Sequence, residues 1–337
     1  MTEGKGHGRG GLYGAAAARI SGAWLRLSPN HRGALWMIAA SLGFTVNSAV
    51  VKTLVAGHAG SGGLDVFQVA FARALFSFAL VLPFLLRAGP GALRTRHPGI
   101  HGLRAFSGAA AMICGFYAVG QLPLAEFMAL SFTQPLFVTL LAVLVLGEAV
   151  RWRRWLATAV GFIGVLIMMR PGAAAFDPAA LVALTSVFGI ALAVILVKRL
   201  PAGESHTTML TYFCLMSLGV TALPAFLTWR PPSLEQWGLL VAVGALGVAS
   251  QAMIIRAYRA GEASFVAPFD YLKLLLAGLI GFYFFSELPG LWTLVGAAVI
   301  VGAAFYTARR EAAQTQARWA AGGAPPPRQP EDGPRRP

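Results

Sequence analysis

Ten apolar stretches follow one another along this chain, and its positive charges avoid them. The stretches run over roughly 34–56, 67–88, 102–120, 124–147, 153–170, 179–200, 208–229, 234–256, 264–285 and 291–308. Most are about 18–24 residues long, the length a helix needs to cross roughly 30 Å of hydrocarbon. Backbone groups cannot stay unpaired in lipid, so the stretches are predicted to be helices. None shows the alternation of a barrel strand. With the N-terminus placed in the cytoplasm, 22 Lys and Arg fall on the cytoplasmic side, in clusters such as Arg151, Arg153 and Arg154, and only Arg170 and Arg230 on the other. Cytoplasmic loops hold the excess of Lys and Arg in membrane proteins. The split predicts ten spans of a cell (inner) membrane with both termini cytoplasmic. It also accounts for the net charge of +14 as an address for the cytoplasmic face beside anionic lipid, and not as a footprint for nucleic acid.

Apolar residues make up 57% of the chain and charged residues 12%, about half the charged share of a soluble domain. Residues 1–33 read as a basic, Gly/Ala-rich cytoplasmic arm without the apolar core of a signal peptide. Ile20, Trp24 and Leu27 are spaced for a short surface-lying helix, and a disordered arm fits equally well. Residues 312–337, with Ala-Pro-Pro-Pro-Arg at 324–328, read as a disordered Pro-rich cytoplasmic tail. Cys114 and Cys214 lie in different spans and read as packing residues, and no metal-ligand spacing occurs. All six His (7, 31, 58, 97, 101 and 206) are assigned to tails or loops.

The fourth and ninth stretches resemble each other. One runs from Leu124-Ala125-Glu126-Phe127 through Gln134-Pro135 to Leu146-Gly147-Glu148; the other runs from Ala263-Ser264-Phe265 through Lys273-Leu274 to Phe285-Ser286-Glu287. Setting Glu148 on Glu287 gives an offset of 139, which places Gln134 on Lys273. A Trp follows each Glu (Trp155, Trp292), then a Gly in an apolar helix (Gly164, Gly302), a residue type that lets membrane helices approach closely. The chain therefore reads as a five-helix unit used twice, over 34–171 and 176–309. Five is odd, so the second copy starts on the opposite side of the membrane. Inverted repeats recur in secondary transporters, whose substrate site lies near the midplane between the halves.

At the level of motifs the chain resembles the drug/metabolite transporter superfamily, EamA type. The matching residues are Pro135 to Gly147-Glu148 in the first half and Ala267-Pro268-Phe269-Asp270-Tyr271 to Ser286-Glu287 in the second, with Arg73 and Asn47. Ser286 departs from the pattern, standing where the first copy has Gly147. The resemblance covers about 34–310. It implies a ten-helix inverted-repeat carrier whose fourth and ninth helices line a central cavity.

Ionisable groups at bilayer depth cost roughly 2.5–3.5 kcal/mol each on insertion scales, so each needs a partner or a wet cavity. Lys273 lies deep in the ninth stretch, and Asp270 shares its helix face three positions earlier. Two readings stand: a self-neutralising structural pair, or a cavity site where Lys273 binds a substrate carboxylate and Asp270 an amine or a coupling proton. In the second, Tyr271 and Gln134 are polar wall groups. Arg73 is read as an interhelical bridge or a substrate contact, and Asn47 joins the candidate substrate residues. Lys52 is expected to snorkel to the outer interface. Glu148 and Glu287 end equivalent helices on opposite sides and are candidate gates, each bonding a neighbouring helix end in one state only. Pro135 and Pro268 are candidate hinges, since proline removes a helical hydrogen bond.

These observations favour a secondary transporter for a small polar metabolite, an amino acid or amino-acid derivative first. Its partners would be that small-molecule substrate, the lipid bilayer and a coupling proton. No Gly-x-x-x-x-Gly-Lys-Ser/Thr loop is present, so an ion or substrate gradient must supply the energy; no cofactor or metal is implied. The alternatives are an exporter of amphipathic compounds, a channel, which would want polar stripes along several helices, and an integral-membrane enzyme, which would want acids or His clustered at one depth.

Overall fold

The computed structural model describes residues 27–57, 62–89, 95, 97–147, 152–170, 177–200, 206–261 and 266–320. All regular structure among them is helical: α1 Pro29–Ala56, α2 Val66–Ala88, α3 Pro98–Gln121, α4 Leu124–Ser131, α5 Gln134–Leu146, α6 Trp152–Met169, α7 Ala179–Lys198, α8 His206–Leu227, α9 Leu234–Ala260, a 3-10 turn Ala267–Tyr271, α10 Leu272–Phe285 and α11 Leu291–Ala320. Among the described residues seven helices, α4 and α5 counted as one, are long and apolar enough to cross a membrane. The segments Trp155–Met169 of α6 and Leu291–Ala303 of α11 are apolar but shorter. Large apolar side chains such as Leu144, Leu223 and Phe284 point outwards, which water would penalise and lipid does not. The chain is a multi-pass membrane protein.

Helix α1 starts at Pro29 and not at 34, because Ser28 caps it, its Oγ accepting the His31 N–H at 3.4 Å, and proline suits the first turn. Residues 1–26, which hold all of the arm's suggested surface helix but Leu27, lie outside the described residues. The same start signal corrects the reading of His101: Pro98 opens α3, so His101 is helical and fully buried, its ring 5.1 Å from that of Tyr212. At the other end α11 continues to Ala320, past the predicted start of the tail at 312. Ala, Glu, Gln and Arg are good helix formers, and the chain supplies them up to Gly322-Gly323.

The most extensive packing joins α1 to α9, α3 to α7, α6 to α11 and α2 to α8. One buried cluster, including Val51, Val69, Phe116, Leu124, Val243 and Ala277, ties α1–α4 to α9 and α10. A second, including Leu130, Phe132, Val165, Ala183 and Ile300, ties α4 to α6, α7 and α11. Gly164 lets α6 meet α11, but its partner is Gly296 and not Gly302. A Cβ on Gly296 would fall 2.7 Å from the Gly164 carbonyl oxygen, whereas one on Gly302 meets nothing within 4 Å. Gly296→Val is therefore expected to destabilise the protein by about 1–3 kcal/mol, while Gly302→Ala does not. Equal melting temperatures for the two variants in detergent would remove this contact from the account.

Candidate functional site

The transmembrane run 124–146 is broken. Pro135 has no N–H to offer and its ring crowds the carbonyl of Ser131 four residues back, so α4 stops at Ser131 and α5 starts at Gln134. Short i→i+3 bonds bridge the break, from Phe132 N–H to Ala129 and from Thr133 N–H to Leu130. The Thr133 hydroxyl also donates to the Leu130 carbonyl at 2.7 Å. The ninth run breaks at the same repeat position: the 3-10 turn ends at Tyr271, which the offset of 139 sets on Phe132. These two rings pack against each other, tilted by 46° with centroids 4.9 Å apart. Pro135 thus sits in the first turn of α5, and Pro268 in the first turn of the 3-10 segment that follows Val266.

Polar chemistry collects at these breaks. Asp270 lies in the 3-10 turn and Lys273 in the first turn of α10; Lys273 Nζ lies 2.5 Å from Asp270 Oδ1 and 4.9 Å from the Phe44 ring centre. The Ser41 hydroxyl of α1 approaches Asp270 Oδ1 at 3.5 Å and the Phe269 carbonyl at 3.4 Å. The pair is only partly covered, with 16% of the Lys273 side chain and 30% of Asp270 accessible. Tyr271 packs between Phe132 and Phe305. Gln134 is half-buried as the first residue of α5, matching Lys273 as the second of α10.

The other candidates lie elsewhere in the bundle. Asn47 is buried, and its side-chain amide donates to the Val243 carbonyl at 2.8 Å, pinning α1 to α9. Arg73 rests against Phe116, 5.3 Å from the ring centre, beside Gly247. Glu148 lies outside the described residues.

Glu287 joins three elements. One carboxylate oxygen pairs with Lys52 of α1; the other accepts the Leu124 N–H at 2.8 Å. That N–H is one of the donors a helix start leaves unpaired, and the positive end of the helix dipole favours a carboxylate there. Lys52 also donates to the Leu122 carbonyl at 2.5 Å and lies 5.3 Å from the Phe285 ring centre. It is 6% exposed, so it does not snorkel: a carboxylate inside the bundle removes the need to reach water. Ser286, the departure from the repeat pattern, still adopts the left-handed cap conformation of its counterpart, φ 53° against 67° at Gly147. The cap turns Glu287 back towards α4.

Sequence reasoning missed Ser41, Phe44 and Phe116. A Ser or Phe in an apolar helix carries no signal of the charge it meets across an interface.

A family model described as the EamA-like transporter family matches residues 31–170 and 177–309. An S-adenosylmethionine uptake transporter of Rickettsia prowazekii (strain Madrid E) is 30% identical over 274 residues, covering 81% of this chain and 91% of its own length. A riboflavin transporter of Vibrio cholerae serotype O1 is 35% identical over 273 residues, covering 80% and 90%. A pseudopaline exporter of Pseudomonas aeruginosa is 30% identical and covers 82% and 96%. A solved crystal structure at 23% identity superposes with a TM-score of 0.52 over 81% of this chain and 98% of the other, a likeness of fold.

Proposed function

Because this chain belongs to the EamA-like transporter family, and is by that membership a membrane transporter and not an enzyme, we propose that it moves a small polar metabolite by alternating access between two inverted five-helix repeats. In this reading ten segments span the cell membrane with both termini cytoplasmic. The observation that carries it is the pair of breaks at repeat-equivalent positions, meeting at Phe132 and Tyr271. Counterparts that touch lie on the axis relating two repeats, and broken helices at such an axis are where transporters of this architecture bind substrate. The packing supports it too. If α1 corresponds to α7 and α3 to α9, the α1–α9 contact and the α7–α3 contact are the same contact seen twice.

The substrate site is assigned to Asp270, Lys273, Tyr271 and Gln134 at the breaks, with Arg73 and Asn47 on the neighbouring helices. Asp270 is the group assigned to a coupling proton. Gating is assigned to Glu287 with Lys52 and the start of α4 at the outer end, and Pro135 and Pro268 are the positions where the broken helices bend. Glu148 holds the matching sequence position at the cytoplasmic end. Val51-Lys52-Thr53-Leu54 recurs as Val197-Lys198-Arg199-Leu200, so a Lys and a Glu are available for the same role at both ends.

The relatives' names put S-adenosylmethionine, an amino-acid derivative, and riboflavin first among compounds to test. The experiment is uptake of each, labelled, into proteoliposomes across an imposed pH gradient. Saturable uptake that unlabelled compound competes away, and that a protonophore collapses, is the expected result. Uptake that stays linear and uncompeted for both of these and for an amino-acid panel would remove the assignment; uptake indifferent to the protonophore would remove the proton.

A further inference from the structure

Of the three cations well inside the apolar stretches, Lys52, Arg73 and Lys273, two have a carboxylate: Glu287 for Lys52 and Asp270 for Lys273. Arg73 has none among the described residues, and no hydrogen bond joins it to any of them. It lies beside the Phe116 ring, 5.3 Å from the guanidinium carbon, beside Gly247, where a Cβ would stand 3.2 Å from Nε, and near the thiol of Cys214. Val69, Ala70 and Ser77 share its helical face and are buried, as are its neighbours Ala72 and Ala74. Arg73 itself keeps accessible surface. That surface therefore opens to the interior of the bundle and not to lipid.

A guanidinium always carries its charge and presents a rigid fork of donors that matches carboxylate and phosphate oxygens. One held at depth with no donor engaged among the described residues, beside an aromatic ring, is a receptor for an anion. We infer that the transported compound carries an anionic group, a carboxylate or a phosphate, that docks on Arg73 with the adjoining part of the molecule against Phe116. The inference rests on the transporter reading and sharpens it: anion recognition passes from Lys273, whose ammonium Asp270 already holds, to Arg73. Of the two compounds named above, S-adenosylmethionine bears a carboxylate, whereas riboflavin has no anionic group at neutral pH.

The test uses protein reconstituted in liposomes and treated with phenylglyoxal, which attacks guanidinium groups, with modification mapped residue by residue by mass spectrometry. Benzoate and its neutral analogue benzamide are the probes. Benzoate is expected to slow modification of Arg73 by roughly ten-fold or more, the scale of hydrogen bonds to a charged group, and benzamide to leave it unchanged. Arg73 unmodified under all conditions, or slowed equally by both probes, overturns the inference. In parallel, Arg73→Gln is expected to raise the KM for uptake of a carboxylate-bearing compound by a similar factor, with Arg73→Lys recovering part of it. Saturable uptake of riboflavin alone, insensitive to Arg73→Gln, also overturns the inference while leaving the transporter reading in place. Benzoate protection without uptake of any compound does the reverse: the anion site stands and the metabolite assignment under the proposed function falls.

Discussion

Replacing Lys52 by Met is expected to destabilise the protein by about 3–5 kcal/mol, because it leaves the Glu287 carboxylate buried without its cation. Only 7% of the Lys52 side chain and 20% of Glu287 are accessible, so water cannot readily take over. Glu287→Gln is expected to do comparable damage from the other side. It strands the Lys52 ammonium and weakens the cap on Leu124 N–H. The double variant Lys52→Met, Glu287→Gln should lose much less than the sum, since neither charge is then orphaned. Melting temperatures of the four proteins in detergent give the coupling. Additive losses would mean that the pair does not hold α1, α4 and α10 together. The same cycle bears on gating, because a closed outer end favoured by this pair is less favoured without it. Cysteine labelling near Lys52 is expected to become faster in the double variant.

The second large effect is at Lys273. Lys273→Ala is expected to leave folding nearly intact and to lower uptake by about 10–100-fold, because Asp270 loses the charged hydrogen bond that positions it in the site, a bond worth roughly 1.5–3 kcal/mol. The contrast with Lys52 follows from accessibility. Asp270 keeps 30% of its side chain accessible, so its carboxylate can be hydrated when the ammonium is gone. Asp270→Asn should behave likewise in uptake and should in addition uncouple uptake from the pH gradient. A Lys273→Ala protein that unfolds as readily as Lys52→Met, yet transports normally whenever it is folded, would return this pair to a purely structural role.

Much of this was legible in the sequence because it is written in one dimension. Apolar runs mark the helices, Pro135 marks a break, and the equal spacing of Glu148 and Glu287 marks the repeat. What failed concerns partners. Lys52 looks like a snorkelling residue at the end of a span, and nothing in its own helix points to Glu287, which lies 235 residues away. Gly164 and Gly302 both read as close-approach residues, but α6 and α11 meet at Gly164 and Gly296 while Gly302 faces open space, because interfaces follow helix rotation and not sequence equivalence. Asn47 reads as a polar group on one helix, and nothing in that helix shows that its amide donates to the Val243 carbonyl of α9. Helix ends misled where hydropathy was followed in place of capping and propensity: Ser28-Pro29 and Pro98 start helices before the apolar runs, and Ala-rich sequence carries α11 past its run.

The central claim, that substrate passes where α4 and the end of α10 part, is tested most directly by locking them together. A Cβ on Gly281 of α10 would lie 3.9 Å from Leu124 Cβ of α4, within the roughly 3.5–4.5 Å that a disulfide spans. Leu124→Cys with Gly281→Cys, in a background without Cys114 and Cys214, should take up labelled substrate when reduced, stop when oxidised and recover on reduction. Uptake that proceeds at the same rate in the cross-linked protein would contradict the account.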